Sequence, residues 1–234
     1  MLSSAVRMGF SVLLIVGVPL LSWRSSRPEL VQGIPKTALY FSAVVSQWML
    51  AAVGALVVFF AWPDGLTVGL AGVSGSGFFK WTIVLVVVSV AGLGLVLYLE
   101  RLGLWPEEPE MVRILMPQTR RERWWAFLGL APTAGLCEEF LYRGFLLAEA
   151  SAWFHSAGWG VVVSSVAFGV AHSYQGLNGM VRAGLLGALL AWPVVQMGSL
   201  YPSMTAHFLI DVVALLWLGP KFLRKQPAII EDSR

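Results

Sequence analysis

Long apolar runs separated by short polar segments make up most of the chain. A helix that spans a bilayer needs about 20 mainly apolar residues. The pattern therefore predicts an all-α membrane protein, a polytopic bundle of about seven transmembrane helices. The runs that approach the required length cover residues 6–23, 38–62, 79–99, 126–150, 158–174, 180–198 and 200–219.

Two parts of this layout have alternatives. The segment "RRERWWAFLGLAP" (120–132) is also typical of an interfacial helix that precedes a span starting near Pro132, which would give eight elements. The N-terminal run has Arg7 before an apolar stretch, as a signal peptide does. No A-x-A cleavage site follows, and the pattern favours a retained first helix.

Composition supports the membrane assignment and narrows the function classes. Hydrophobic residues make up 57% of the 234 residues and charged residues 12%, whereas soluble domains carry about 25% charged residues. The net charge of +3 is small, so nucleic acid is not an expected partner. The single cysteine, Cys137, excludes an intrachain disulfide.

The positions of the basic residues predict an orientation. If the N-terminus lies outside, 13 of the 16 lysines and arginines fall in cytoplasmic segments, and the outer segments hold only Arg7 and Lys80. This asymmetry is the positive-inside pattern, so we expect a multi-pass protein with its N-terminus out and its C-terminus in.

Three apolar runs contain ionisable residues. A charge at the bilayer centre costs about 2.5–3.5 kcal/mol, so such residues are functional candidates when they face a protein interior or a polar cavity. The residues of the three runs are Glu138, Glu139 and Arg143; His172; and His207 with Asp211. Glu149 is expected near the membrane boundary, where charged side chains reach water more easily.

Helical spacing distinguishes the two adjacent glutamates. Glu139 and Arg143 are four residues apart, so they share a helix face and can form an ion pair. Glu138 is rotated from Glu139 by about 100° on an α-helix and is expected to remain unpaired on another face. The alternative is an ion network of all three residues that only locks helices together.

The two histidines lie on separate runs. His207 and Asp211 stand one helical turn apart, which suits an oriented base, a metal-ligand pair or an interhelical hydrogen bond. His172 near a helix end suits an interfacial hydrogen bond or a catalytic role. Carboxylate and imidazole groups that converge from three helices could activate water and stabilise an oxyanion, as peptide hydrolysis in a membrane requires.

Three motifs in order resemble the CPBP family of CAAX proteases and bacteriocin-processing enzymes, also called Abi, which includes the type II CAAX prenyl endopeptidases. The motifs are "EEFLYR", "FGVAH" and "HFLID", and the resemblance covers about residues 120–218. It implies an intramembrane endopeptidase, a protease that cuts a membrane-associated protein or peptide, with its catalytic groups in a polar cavity. A bacterial inner-membrane location is expected.

The resemblance also implies a role for each matching residue. Glu138 and His172 would activate water, and His207 and Asp211 would stabilise the oxyanion. Glu139, Arg143 and Phe168 would give structural support. The expected organisation is one structural unit with N-terminal helices that lack the motif (1–119), a catalytic core (120–219) and a cytoplasmic tail (220–234).

One motif position leaves the mechanism open. The eukaryotic prenyl-protease branch has Asn where this chain has Asp211, and an ionised Asp cannot donate a hydrogen bond to an oxyanion. Asp211 would then act protonated, orient His207 or help to hold a metal ion.

Two further alternatives concern the class of protein. The first interpretation, a peptidase that activates water with Glu138, needs no tightly bound metal or other cofactor. No H-E-x-x-H motif is present, but a metalloendopeptidase would hold Zn²⁺ with some of Glu138, His172, His207 and Asp211. A non-enzymatic role in bacteriocin immunity, as a scaffold or as a chaperone is the other alternative, and a proton-conducting transporter is a weaker one.

Straight spans raise a problem of depth. At about 1.5 Å of rise per residue, His172 would lie near the cytoplasmic side and His207 near the outer side of a core about 30 Å thick. We therefore expect a water-filled cavity, or tilted helices, to bring the two histidines to one depth.

Overall fold

The computed structural model of the protein describes residues 2–25, 27–62, 68–106 and 109–218. Helices account for nearly all the regular structure of these residues. They contain no β-strand, and the one extended pairing among them is an isolated bridge between Leu70 and Ser199. The predicted all-α polytopic bundle is confirmed. The predicted tail falls within 219–234, outside the described residues.

Eight helices are named here in chain order. Seven of them coincide with the seven predicted runs, and the short helix α4 lies in a segment that the sequence predicted to be a loop. The helices are α1 (2–24), α2 (Lys36–Ala61), α3 (Gly75–Arg101), α4 (Glu110–Leu115), α5 (120–154), α6 (Ala157–Ala171), α7 (Gly176–Met197) and α8 (201–218).

Four of the described helices are long and apolar enough to cross a membrane, judged by length and composition: Ser3–Arg24, Lys36–Ala61, Gly75–Arg101 and Ser173–Met197. The last of these includes the 3₁₀ turn Ser173–Gln175 ahead of α7. Two other apolar helices, Ala157–Ala171 and Tyr201–Trp217, are shorter. The 15 residues of α6 rise about 22 Å, less than a hydrocarbon core of about 30 Å. The N-out, C-in orientation stays a prediction.

Helix α5 runs without a break from residue 120 to residue 154, so the alternative of a separate interfacial helix before Pro132 is wrong. Its central part, Ala134–Leu146, is a π-helix, in which each amide hydrogen-bonds five residues back. The amide of Leu147 accordingly donates to the carbonyl of Tyr142. Segments of this kind are rare and occur frequently at functional sites.

The π-helical segment of α5 lies at the centre of the bundle. It packs against α2, α6 and α8, and its side chains Leu141, Phe145 and Leu146 are buried in the main hydrophobic cluster. Phe10 of α1 and Phe168 of α6 belong to the same cluster. Residues on this segment are therefore held by three neighbouring helices at once.

Glu149, which the sequence predicted to lie near the membrane boundary, is shielded by other parts of the protein, and its depth in the membrane stays a prediction. It is buried on α5, and its Oε2 lies 3.3 Å from Nε of Arg7 on α1. Arg7 also donates to the carbonyl of Ala61 at 3.1 Å and lies over the ring of Trp62. The charge is tolerated because a neighbouring helix supplies its counter-ion, a contact that spacing along one helix cannot reveal.

Glycines allow α6 and α7 to approach closely. A Cβ atom built on Gly169 would lie 2.6 Å from the carbonyl oxygen of Met180 and 3.2 Å from Cα of Gly184. Both neighbours are backbone atoms, which cannot move aside as a flexible side chain can. Small residues at such crossings are a common way for membrane helices to pack.

Replacing Gly169 with alanine is therefore expected to destabilise the protein by about 1–3 kcal/mol, the usual cost of overpacking. The matched control is Gly92→Ala on α3, where a Cβ atom would meet nothing within 4 Å. The control is expected to be neutral or stabilising, because alanine is favoured over glycine inside helices. Thermal unfolding in detergent measures the stability of both variants. Equal stability of the two would contradict the packing argument.

Candidate active site

A buried ion pair anchors the site on α5. Nη1 of Arg143 lies 2.9 Å from Oε1 of Glu139, and neither side chain is exposed to solvent (0% each). The four-residue spacing predicted this pair, and it forms although the helix is locally π rather than α. A pair without access to water is stabilising only when its other hydrogen-bonding groups also find partners.

The other contacts of Arg143 come from α6 and α7. Its Nε donates to the carbonyl of Gly187 at 3.3 Å, and its guanidinium carbon lies 3.9 Å from the ring centre of Phe168. A Cβ atom on Gly187 would come within 2.8 Å of Nη2, so glycine leaves the room that the guanidinium occupies. A cation over an aromatic face is attracted to it, which gives Phe168 a physical reason to stand here.

His207 of α8 connects the two glutamates. Its Nδ1 lies 2.8 Å from Oε1 of Glu139, so the same carboxylate oxygen accepts from Arg143 and from His207. Its Nε2, on the opposite edge of the ring, faces Oε2 of Glu138 at 3.9 Å and Oδ1 of Asp211 at 3.8 Å. These two distances exceed hydrogen-bonding range, whereas the contact with Glu139 does not.

Glu138 has a partner, contrary to the prediction that it stands unpaired. Nε2 of Gln47 on α2 donates to Oε1 of Glu138 at 2.9 Å. The side chain of Glu138 is 14% exposed and that of Asp211 is 27% exposed, whereas Glu139 is fully buried. The adjacent glutamates therefore lie in different surroundings: one inside a closed ion pair, the other at an accessible edge. A water-filled cavity beside them stays a prediction.

His172 is the first residue after α6 and lies on the other side of Phe168. Its Nδ1 is 2.8 Å from the carbonyl oxygen of Phe168. A carbonyl only accepts, so Nδ1 carries the proton and donates, and Nε2 of the neutral ring keeps its lone pair. The rings of His172 and His207 lie 4.5 Å and 6.0 Å from the ring of Phe168.

The two histidines lie at one depth of the bundle, because both rings are near the ring of Phe168. His172 comes within electrostatic range of His207 and Asp211. The structure thus brings the four predicted catalytic residues together from three helices: His172 and His207 lie near the ring of Phe168, and Glu138 and Asp211 face Nε2 of His207.

The side chains do not present a metal site in this arrangement. Among the residues that the structure describes, no group of three or more His, Cys, Asp and Glu side chains is placed to hold a metal ion. Nε2 of His207 lies 3.9 Å from Oε2 of Glu138 and 3.8 Å from Oδ1 of Asp211, and these three side chains do not form such a group. We therefore derive no step through zinc.

Comparison with known families bears on the same part of the chain. Residues 120–213 match the family model described as "Type II CAAX prenyl endopeptidase Rce1-like". This segment is similar to an Rce1-like domain. The resemblance to the CPBP family is thereby confirmed for α5 to α8, where all three motifs lie.

The match supports a relationship of this segment to CAAX-type intramembrane proteases, and the apolar helices agree with an integral membrane protein. No curated protein and no solved structure matches the chain. The matched range begins at the start of α5, so Gln47 lies outside the Rce1-like domain and yet contacts its Glu138.

Sequence reasoning missed two contributors to this site. Gln47 carries a weak signal, since it is the one side-chain amide in the 26-residue apolar helix α2. Gly187 has no signal in the sequence. Its backbone carbonyl accepts a hydrogen bond from Arg143, and its lack of a side chain leaves room for the guanidinium.

Proposed function

We propose that the chain is an intramembrane endopeptidase that hydrolyses a peptide bond in a membrane-associated protein or peptide. The observation that carries the proposal is the convergence on His207. One edge of the ring is fixed by a buried ion pair, and the other edge faces a partly exposed carboxylate, Glu138. A fixed donor beside an accessible base is what addition of water to a carbonyl needs.

In the proposed reaction, Glu138 removes a proton from water with the help of the Nε2 lone pair of His172. The resulting hydroxide attacks the scissile carbonyl carbon and forms a tetrahedral oxyanion. Collapse of this intermediate breaks the C–N bond, and the proton held by Glu138 passes to the leaving amine. The products are a new carboxylate and a new amine, so one water is consumed for each bond cut.

His207 is the proposed oxyanion donor. The role requires the imidazolium form of His207, in which Nδ1 donates to Glu139 and Nε2 carries a second proton that faces Glu138 and Asp211. Glu139 therefore orients His207, and Arg143 in turn holds Glu139. Because the ring already has an orienting carboxylate, we assign Asp211 another of the roles considered for it. Asp211 would then act in its protonated form, as a second donor beside Nε2.

The substrate and location are part of the same proposal. The site residues lie on helices of an apolar bundle, so the peptide must reach them from the bilayer or its surface. We propose a membrane-associated protein or peptide as partner, without requiring that it be prenylated, and the bacterial inner membrane as the location.

The experiment is hydrolysis of membrane-associated peptides by purified protein in lipid vesicles, carried out in ¹⁸O-labelled water. Mass spectrometry is expected to show cleaved peptides with one ¹⁸O atom in each new carboxyl group. A parallel sample, freed of metal by a chelator and verified by elemental analysis, is expected to keep full activity. Loss of activity that zinc restores would instead support the metalloendopeptidase.

The non-enzymatic alternative makes a different prediction for the cell. If a biological function of the protein survives Glu138→Ala in a well-folded variant, that function does not depend on hydrolysis at this site. Such a result, together with the absence of any cleaved peptide in vitro, would contradict the proposed activity.

A further inference from the structure

Gln47 connects the N-terminal half of the chain to the proposed catalytic base. It lies on α2, 91 residues before Glu138, and its Nε2 is 2.9 Å from Oε1 of that carboxylate. An ionised carboxylate only accepts hydrogen bonds, so the NH₂ end of the amide must face it. We propose that Gln47 is a positioning residue that sets the orientation of the Glu138 carboxylate, an inference that rests on the proposed function.

The contact divides the two oxygens of Glu138 between different neighbours. Oε1 accepts from Gln47, and Oε2 faces Nε2 of His207 at 3.9 Å. The terminal torsion of a glutamate is broad, so a free carboxylate samples many orientations. A hydrogen bond to one oxygen restricts that torsion and leaves the other oxygen directed at the reacting water. Fixing a reacting group in this way lowers the entropy cost of the reaction.

A second hydrogen bond joins α2 to α5 without involving Glu138. Nε1 of Trp48, the next residue, donates to Oγ1 of Thr133 at 3.0 Å. Thr133 and Glu138 are five residues apart, the hydrogen-bonding step of the π-helix that begins between them. Two neighbouring side chains of α2 therefore contact two successive turns of α5, and of the two it is Gln47 that contacts the proposed base.

The amide suits this position because of its charge. Glu138 already has the titratable groups Glu139 and Arg143 on its own helix, and His207 and Asp211 on α8. An arginine or lysine in place of Gln47 would form a further ion pair and compete with the water for the carboxylate. A neutral donor orients the carboxylate without neutralising it, so the group can still act as a base.

A purely structural role is the alternative. Hydrogen bonds between membrane helices contribute modestly to stability on average, and in this alternative that is all that Gln47 does. The two roles differ in what they change: a structural contact alters the folded fraction, whereas a positioning contact alters kcat of the folded protein.

The test compares Gln47→Met with Trp48→Phe. Methionine has the length of glutamine but no donor, and Trp48→Phe removes the neighbouring hydrogen bond without touching Glu138. Gln47→Met is expected to lower kcat by up to about 10²-fold, the cost of a small misplacement of a reacting group, with little change in KM or unfolding temperature. Trp48→Phe is expected to keep kcat. Unchanged kcat in Gln47→Met would overturn the inference.

An infrared measurement separates this inference from the proposed function. The carboxylate stretching band of Glu138 is identified as the band that disappears in Glu138→Gln. It is expected to shift in Gln47→Met and to stay in place in Trp48→Phe. If the wild-type protein cleaves no peptide, the proposed function fails, but a shifted band still supports the orienting contact. A band that does not move overturns the contact whatever the activity.

Discussion

Glutamine in place of Glu138 is expected to lower kcat by about 10²–10⁴-fold, the range that general acid–base catalysis contributes. The substitution keeps the shape of the side chain, and its amide oxygen can still accept from Gln47. It removes the ability to take a proton from water. KM and the unfolding temperature are therefore expected to change little, because the side chain is at an accessible edge and not inside the buried ion pair. Single-turnover cleavage of a membrane-associated peptide measures the effect.

The matched control for Glu138→Gln is Cys137→Ser. Cys137 is the adjacent residue and is buried, and serine is close to it in size. This variant is expected to keep its activity, since the proposed chemistry uses no thiol. Full activity in Glu138→Gln would remove Glu138 from the role of base, and loss of activity in Cys137→Ser alone would point to a nucleophilic cysteine.

The fold was largely predictable because lipid imposes a simple rule on sequence. A span must be an apolar run of sufficient length, so the seven runs could be located with errors of a few residues at their ends. The ion pair of Glu139 and Arg143 was predictable for a similar reason: it is local, and four residues separate its members. The length of an apolar run and the spacing of residues along one helix can both be read from a single sequence, so these two features were predictable.

The relation between the two glutamates was predicted only in part. An α-helical spacing placed Glu138 and Glu139 on different faces with separate partners. In the structure they lie on a π-helix, and the two nitrogens of one imidazole ring face both of them, since Nδ1 of His207 contacts Glu139 and Nε2 faces Glu138. No residue pattern distinguishes a π-helix from an α-helix here, so the shared histidine could not be foreseen.

Contacts between segments that are distant in sequence account for the features that could not be predicted. The hydrogen bond from Gln47 to Glu138 and the ion pair of Arg7 and Glu149 each join helices far apart in sequence. Periodicity reports which face of a helix is apolar, but not which other helix covers that face. The motifs showed that α5, α6 and α8 carry the candidate site, whereas the contribution of α2 required the packed structure.

Methionine in place of Arg143 is expected to destabilise the protein by about 3–5 kcal/mol, the usual cost of breaking a buried pair by removing one member. The carboxylate of Glu139 would remain without its counter-ion in a position that has no access to solvent. The ring of Phe168 would lose the cation above it as well. Thermal unfolding in detergent measures the loss of stability, and kcat is measured on the folded fraction of the protein.

The control is the second ion pair of the bundle. Arg7→Met breaks the pair with Glu149, which lies on the same helix as Glu139 but makes no contact with His207. It is expected to lower stability by a smaller amount, because Arg7 is 23% exposed, and to leave kcat of the folded protein unchanged. The comparison separates the general cost of breaking an intramembrane pair from an effect on the site.

The double variant Glu139→Leu with Arg143→Met distinguishes two roles of the ion pair: holding the helices together and orienting the ring of His207. Replacing both members of a buried pair with apolar side chains is often neutral for stability, so much of the loss is expected to be recovered. Activity is not expected to return, because Nδ1 of His207 then lacks the carboxylate that orients the ring. If stability and activity both return, the pair does no more than lock helices together, and His207 takes its orientation from another group.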